Sequence, residues 1–147
     1  MRTTSTHGSK LSMVKLALLG AVAAAIAFGA TGRQAQAASP TDLAESYDEA
    51  LAYRYAYIAK VFSANEANAI SEPANLAWGM ALFALKSGDD SAWYECYLAA
   101  SEAEAAADAA GESTIAWYSG LAAGHALDAY IDSLMTTNNR MMMMMSR

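Results

Sequence analysis

The sequence predicts an all-α protein, a compact four-helix bundle made of two helical hairpins. From residue 38 onward it has 27 alanines among 110 residues, one valine and four isoleucines. This balance favours helix over sheet, because alanine has the highest helix propensity and β-branched residues favour strands. Apolar residues also recur at helical spacing, and glycine, proline and serine divide the chain into four such stretches.

The first predicted helix begins at the sequence SPTD (39–42), where serine can cap the helix and proline suits its first position. It runs to about residue 62. Tyrosines at 53, 55 and 57 alternate as they would on a strand, but a longer window has helical spacing, at Tyr47, Leu51, Tyr55, Ile58 and Phe62. A serine–glutamate capping pattern at 63–66 then predicts a short extra turn.

Short breaks separate the other three helices. SEP (71–73) opens the second helix, which is expected to end at Gly88, and the third runs over 92–110 to Gly111. The fourth is expected over 114–135. Because the last two connections are short, these neighbours should pack antiparallel. We expect the fourth helix to close the bundle along one stripe, with its glycines allowing close approach of a neighbouring backbone: Trp117, Gly120, Leu121, Gly124, Leu127, Ile131 and Leu134.

A short helical-hairpin solenoid of the tetratricopeptide (TPR) or Sel1-like kind is the alternative architecture. Residues 75–100 resemble one helix pair of such repeats, and AWG (77–79) is followed by AWY at 92–94 and 116–118. These spacings are unequal, whereas a solenoid has a fixed period, so the bundle is the leading prediction. In either architecture the tryptophans are predicted to be core residues, namely Trp78, Trp93 and Trp117.

The first 37 residues predict a secretory signal peptide. Residues 1–15 carry three bases and no acid, residues 16–30 are uncharged, and AQA (35–37) is a small-x-small cleavage pattern. Fifteen helical residues rise about 22 Å, less than the roughly 30 Å hydrocarbon core. We therefore expect a periplasmic or secreted protein with no stable membrane anchor after cleavage; retention of the segment as an anchor is the alternative.

The chain beyond residue 37 is strongly acidic. The whole chain has a formal charge of −6, and the first 37 residues hold four of its nine bases and none of its fifteen acids, so the remainder carries −10. Such a surface repels phosphates, which excludes nucleic acid and anionic lipid as favoured partners. Cys96 is the only cysteine, so it cannot form an intrachain disulfide, and we expect it to be buried.

The sequence gives little support to catalysis. His125 is the only histidine after residue 37, and with Asp128 and Asp132 it could form a cluster on one side of the fourth helix. Di-iron bundles need two Glu-x-x-His pairs, and zinc needs three or four ligands. The paired acids of the first helix (Glu45, Asp48, Glu49) are expected on solvated faces. We therefore predict a non-enzymatic protein with no catalytic residues, no cofactor and no metal site.

Tyrosines in the first helix point instead to binding of a protein partner. Tyr53 and Tyr57 are four residues apart, and we expect them to form an exposed pair facing away from the apolar stripe. Exposed aromatic residues are typical interface anchors. The leading hypothesis is an exported accessory or structural subunit of an envelope or extracellular assembly, acting through protein–protein binding or self-association.

Five consecutive methionines stand near the end of the chain, at 141–145. The expected organisation is a signal peptide (1–37), a four-helix domain (38–135) and a disordered methionine-rich tail (136–147). Thioethers suit Cu(I), so a periplasmic copper-binding protein is the alternative function. Five consecutive side chains converge poorly on one ion, however, which favours an inert or partner-docking tail. The candidate ligands are Met141, Met142, Met143, Met144 and Met145.

Overall fold

The computed structural model describes residues 39–146, and every regular element in that part of the chain is helical. A 3-10 turn, Pro40–Leu43, precedes four α-helices: α1 (Tyr47–Phe62), α2 (Asn68–Ser87), α3 (Ser91–Ala110) and α4 (Ser113–Met145). Each helix packs on the next, and α4 packs back on α1. This closed arrangement confirms the predicted four-helix bundle, since a solenoid would not return its last helix to its first. The predicted signal peptide lies outside the described residues.

The first helix begins later than the sequence predicts. Residues 40–43 form a separate 3-10 turn, and α1 starts at Tyr47 behind the N-cap residue Ser46. The Glu49 amide donates to Ser46 Oγ and the Ser46 amide donates to Glu49 Oε2, each over 3.2 Å. This reciprocal capping box satisfies amides that would otherwise lack partners in the first turn, and it fixes the start of the helix.

The second helix begins earlier than predicted. Its first turn forms where the amides of Ile70 and Ser71 both donate to the Ala67 carbonyl, at 2.9 and 3.0 Å. Pro73, which the sequence analysis placed at the helix start, therefore lies inside α2 and is buried. Its ring costs one backbone hydrogen bond near the start of the helix, because proline has no N–H to donate.

Glycines end α2 and α3 where the sequence predicts. Gly88 and Gly111 have φ values of 73° and 77°, in the left-handed region that side chains disfavour. The Gly88 amide donates to the Ala84 carbonyl, and the Gly111 amide donates to that of Asp108. Each stop is followed within three residues by the next helix, which produces the two tight connections α2–α3 and α3–α4.

The core combines many alanines with a few large side chains. From α1 only three residues are buried, all of them alanine, whereas α2 contributes leucine, isoleucine and methionine as well. Trp93 on α3 is the largest fully buried side chain. Trp78 is partly buried against the same core, but Trp117 is 63% exposed. The prediction of three core tryptophans is therefore wrong for Trp117.

The predicted inner stripe of α4 is also wrong, because α4 turns its smallest residues inward. Trp117, Gly124, Ile131 and Leu134 are exposed. The interior receives a different face of the helix, made mostly of small side chains: Ile115, Ala116, Ser119, Ala122, Ala123, Ala126 and Ala129. No backbone approaches either glycine closely: a β-carbon on Gly120 would meet the Glu104 carboxylate, and one on Gly124 would meet nothing within 4 Å.

The sequence predicts a disordered tail over 136–147, whereas in the structure α4 continues to Met145. Neither glycine nor proline follows residue 124, and methionine and arginine are good helix formers. Thr136 and Thr137 donate their hydroxyls to carbonyls four residues earlier, at 3.0 Å each. All residues from 134 to 146 are exposed, so this last part of α4 extends past the bundle. We call Leu134–Met145 the projecting segment.

Candidate functional site

Three potential metal-ligating side chains meet where α1 and α4 pack together. Asp48 comes from the first turn of α1, and His125 and Asp128 lie three residues apart on α4. The His125 Nδ1–H donates to Asp48 Oδ1 over 2.8 Å. One ligand atom from each of the three residues lies within 4.8 Å of the others. We call this group the Asp48–His125–Asp128 cluster.

Two tyrosines of α1 contact the imidazole of this cluster. Tyr55 stacks on His125, with ring centroids 5.7 Å apart and an interplanar angle of 21°. Tyr47 approaches the same ring edge-on at 6.5 Å. His125 and Asp48 are each about one quarter exposed, so the pair is held between protein groups and still open to solvent. The imidazole is thus positioned by a carboxylate and by two rings.

Further rings continue the contacts along the two helices. Tyr118 lies 6.1 Å from Tyr55 and stacks on Phe62, with centroids 6.0 Å apart and planes within 5°. Trp117 in turn contacts Tyr118 at 5.3 Å. We call this row of rings the aromatic seam. Each ring contacts another ring of the seam, so Tyr55 and Phe62 of α1 lie at the edge of the bundle, whereas the fully buried residues of α1 are alanines.

The sequence analysis placed the correct histidine and one correct carboxylate in this cluster. It paired His125 with Asp128 and Asp132, whereas the structure brings in Asp48, which lies 77 positions away from His125. Asp48 was expected on a solvated face, and its partial burial corrects that prediction. The neighbouring Glu49 was also misassigned, because its Oε1 accepts a 3.1 Å hydrogen bond from the indole of Trp93.

Tyr53 and Tyr57 do not form the exposed pair that the sequence analysis expects. Tyr57 is 47% exposed, but Tyr53 is partly buried and packs against the main core. Nearby on the same side of α1, the ammonium of Lys60 lies 3.7 Å from the centre of the Trp78 ring. Of the two tyrosines, Tyr53 therefore contacts the interior and Tyr57 is exposed to solvent.

The methionine run is helical, so its side chains surround the helix axis. Successive residues on an α-helix turn by about 100°, which places Met141 and Met145 near one side and Met143 on the opposite side. All five are exposed. The polar residues 136–140 separate them from Leu134 and Met135, so the apolar surface of the projecting segment is concentrated in its last turn and a half. Their sulfur atoms diverge, and so this conformation does not bring them to one ion.

Cys96 lies in the interior and is not part of any site. It is fully buried, and burial raises the pKa of its thiol to about 12. A thiol of this kind stays neutral and behaves as a small apolar side chain. This position agrees with the sequence-based prediction that Cys96 is a core residue. Among residues 39–146, no helix is long and apolar enough to cross a membrane.

These features define a class of molecule, an acidic four-helix bundle with a histidine–carboxylate cluster at one edge and a projecting helix end that is rich in methionine. Comparison of the chain with family models, with curated proteins and with solved structures gives no match in any of the three.

Proposed function

We propose that this chain is an exported, non-catalytic helical protein that acts by binding a partner protein through the projecting segment of α4. The observation that carries the proposal is the exposed end of α4, twelve residues long, which finishes in five consecutive exposed methionines. An accessory or structural subunit of an envelope or extracellular assembly fits these properties. Such a subunit needs only a stable bundle and a segment that docks on its partner.

The energetics of the projecting segment support docking. The packed part of α4 supplies the helix nucleus, but the projecting segment lacks the tertiary packing that provides most helical stability, so its end is prone to fraying. Burial of exposed methionines in an apolar groove gives about 25 cal/mol per Å² of apolar surface removed from water. Methionine is unbranched and polarisable, so a run of methionines adapts to an irregular groove. A bound partner would thus cover this helix end and limit its fraying.

The charge of the segment indicates the kind of groove. No acidic residue follows Asp132, and Arg140 immediately precedes the methionines, in contrast to the acidic chain before them. A helix with apolar sides and a basic residue suits an apolar groove that is edged by carboxylates. Tyr57 is a second anchor candidate, because exposed tyrosines are frequent contributors to interface energy.

Two matched variants test this proposal. In one, Met141–Met145 become leucines, which keeps helix propensity and apolar surface; in the other they become glutamines, which keeps helix propensity alone. We expect the leucine variant to retain the partner that co-purifies with the native protein, and the glutamine variant to lose it. Affinity of the purified pair, measured by calorimetry, provides the readout.

The same pair of variants distinguishes docking from the copper alternative. Leucine has no thioether, so Cu(I) binding would be lost in both variants, whereas docking would be lost only with glutamine. A monomeric protein from which nothing co-purifies in its native envelope would contradict the proposal. Mass spectrometry of that preparation also tests export, since cleavage as predicted would leave Ala38 as the first residue.

A further inference from the structure

We propose that the Asp48–His125–Asp128 cluster binds one divalent transition-metal ion of the zinc class. This inference is independent of partner binding by the projecting segment. One imidazole nitrogen and two carboxylate oxygens lie within 4.8 Å of one another, and they come from two different helices. Such donors are the usual protein ligands of Zn²⁺.

The distances are close to those that a bound ion requires. Zn²⁺ binds nitrogen and oxygen at about 2.0–2.2 Å, so donors around a tetrahedral ion lie about 3.4 Å apart. The His125–Asp48 pair is now 2.8 Å apart, held by a hydrogen bond, and every pair in the cluster is within 4.8 Å. An ion bound at Nδ1 requires the imidazole tautomer with its proton on Nε2, so the ion would replace the hydrogen bond to Asp48. Small rotamer changes cover the remaining difference, and Asp128 is exposed and thus free to make them.

Two of the three ligands, Asp48 and His125, are held in place before any ion binds. Asp48 follows the first residue of α1, whose start is fixed by the Ser46–Glu49 capping box. His125 is stacked on Tyr55, and Asp128 lies three residues further on, which puts both on the same side of α4. A site of this kind loses little side-chain freedom on binding, because the backbone and one ring are already fixed.

The donor set selects the type of ion. Ca²⁺ and Mg²⁺ prefer all-oxygen sites with six or more ligands, whereas an imidazole favours Zn²⁺ and its neighbours in the first transition row. Two carboxylates also balance the charge of a divalent ion. Three protein ligands leave a fourth position for water or for a donor from a partner. The ion would connect α1 to α4 at the rim of the bundle.

The test is a titration of the full 147-residue chain with Co²⁺, followed by visible absorption, and then displacement by Zn²⁺. We expect one equivalent to bind. The substitutions Asp48→Asn, His125→Gln and Asp128→Asn should each weaken affinity by about tenfold or more, since each removes one of three ligands. Ca²⁺ at the same concentration should not displace Co²⁺.

Three matched variants serve as controls. Asp132→Asn removes a carboxylate one turn beyond Asp128, which lies outside the cluster, and His7→Gln removes the other histidine of the chain. Deletion of 141–145 removes the methionine run. We expect all three to bind Co²⁺ as the unchanged chain does. Two outcomes would show an adventitious ion only and overturn the proposal. In one, the control variants weaken Co²⁺ binding as much as the ligand variants do; in the other, the ligand variants do not weaken it at all.

A second measurement covers the case in which a ligand variant loses its fold. Far-ultraviolet circular dichroism reports helical content for each variant. For the unchanged chain, NMR resonances of the His125 imidazole and the Tyr55 ring, assigned by substitution, should shift on addition of Zn²⁺ up to one equivalent. Unperturbed resonances at saturating Zn²⁺ would refute the site regardless of how the variants behave.

Discussion

The α2–α3 hairpin and the α1–α4 edge are built from different side chains, although both belong to one bundle. The α2–α3 hairpin buries large groups, among them Leu76, Met80 and Trp93, whereas α1 buries only alanine. Tyr55 and Phe62 of α1 lie at the α1–α4 edge in the aromatic seam, beside the Asp48–His125–Asp128 cluster. The hairpin therefore carries stability, and the edge keeps chemically versatile groups in contact with solvent.

The largest effect is expected from Trp93→Ala. This side chain is fully buried, so truncation should lower the free energy of unfolding by about 3–5 kcal/mol through lost burial and a cavity. The loss also leaves Glu49 Oε1 without its indole donor. Chemical denaturation measures the effect, and Trp117→Ala is the control: its ring is exposed, so we expect a change within about 0.5 kcal/mol. Equal losses would contradict the assignment of stability to the hairpin.

A smaller, pH-dependent effect is expected from Cys96→Ala. Burial raises the pKa of the thiol from 9.0 to about 12, so the folded state favours the neutral form. This contribution to stability is complete below pH 9 and is lost as the pH rises toward 12. The alanine variant should lose about 1 kcal/mol near neutral pH, from packing, and its unfolding free energy should fall less steeply above pH 9. Parallel pH profiles for the two proteins would refute this account.

Substitution of the α4 glycines should stabilise the protein, and by unequal amounts. Gly124→Ala adds a methyl group in open space, and it should raise the unfolding free energy by about 0.5–1 kcal/mol through helix propensity. Gly120→Ala would bring its β-carbon to 2.8 Å from Glu104 Oε1, so that flexible carboxylate must move and the gain should be smaller. Thermal denaturation of both variants measures which one is more stable. A more stable Gly120→Ala variant would place the close contact elsewhere.

The smallest effect is expected when residues 141–145 are deleted. These residues are exposed and extend past the bundle, so the unfolding free energy should change by no more than about 0.5 kcal/mol. Urea denaturation measures it, and far-ultraviolet circular dichroism should report the loss of about one turn of helix. A large loss of stability would show that the projecting segment supports the fold rather than serving a partner.

Local signals in the sequence predict most of the fold but not the rotation of α4. Gly88 and Gly111 end helices because each needs a left-handed backbone, and this requirement is visible in one residue. The inward face of α4 depends on which helices surround it, and alanine satisfies either a buried or an exposed position. The apolar stripe through Trp117 was thus as plausible as the observed face through Ala122 and Ala126.

The cluster was only partly predictable for a related reason. His125 and Asp128 are three residues apart, so helical spacing alone groups them. Asp48 joins them because α4 packs back on α1, and the sequence does not specify which residues of these two helices face each other. Asp132 differs from Asp128 by one turn and was equally acceptable until the axial position of Asp48 was known. Contacts between helices that are distant in the sequence are therefore the part of the cluster that the sequence could not predict.

The continuous backbone of α4 has a consequence for any molecule bound at its tip. At 1.5 Å per residue, Met143 is held about 15 Å beyond Ser133, so the helix acts as a spacer of fixed length. It also fixes the direction in which the tip faces around the helix axis, since each residue turns the tip by about 100°. Removal of residues 136–139 would shorten the spacer by about 6 Å with little rotation of the tip. Removal of only two of these residues would turn the tip to nearly the opposite side of the molecule.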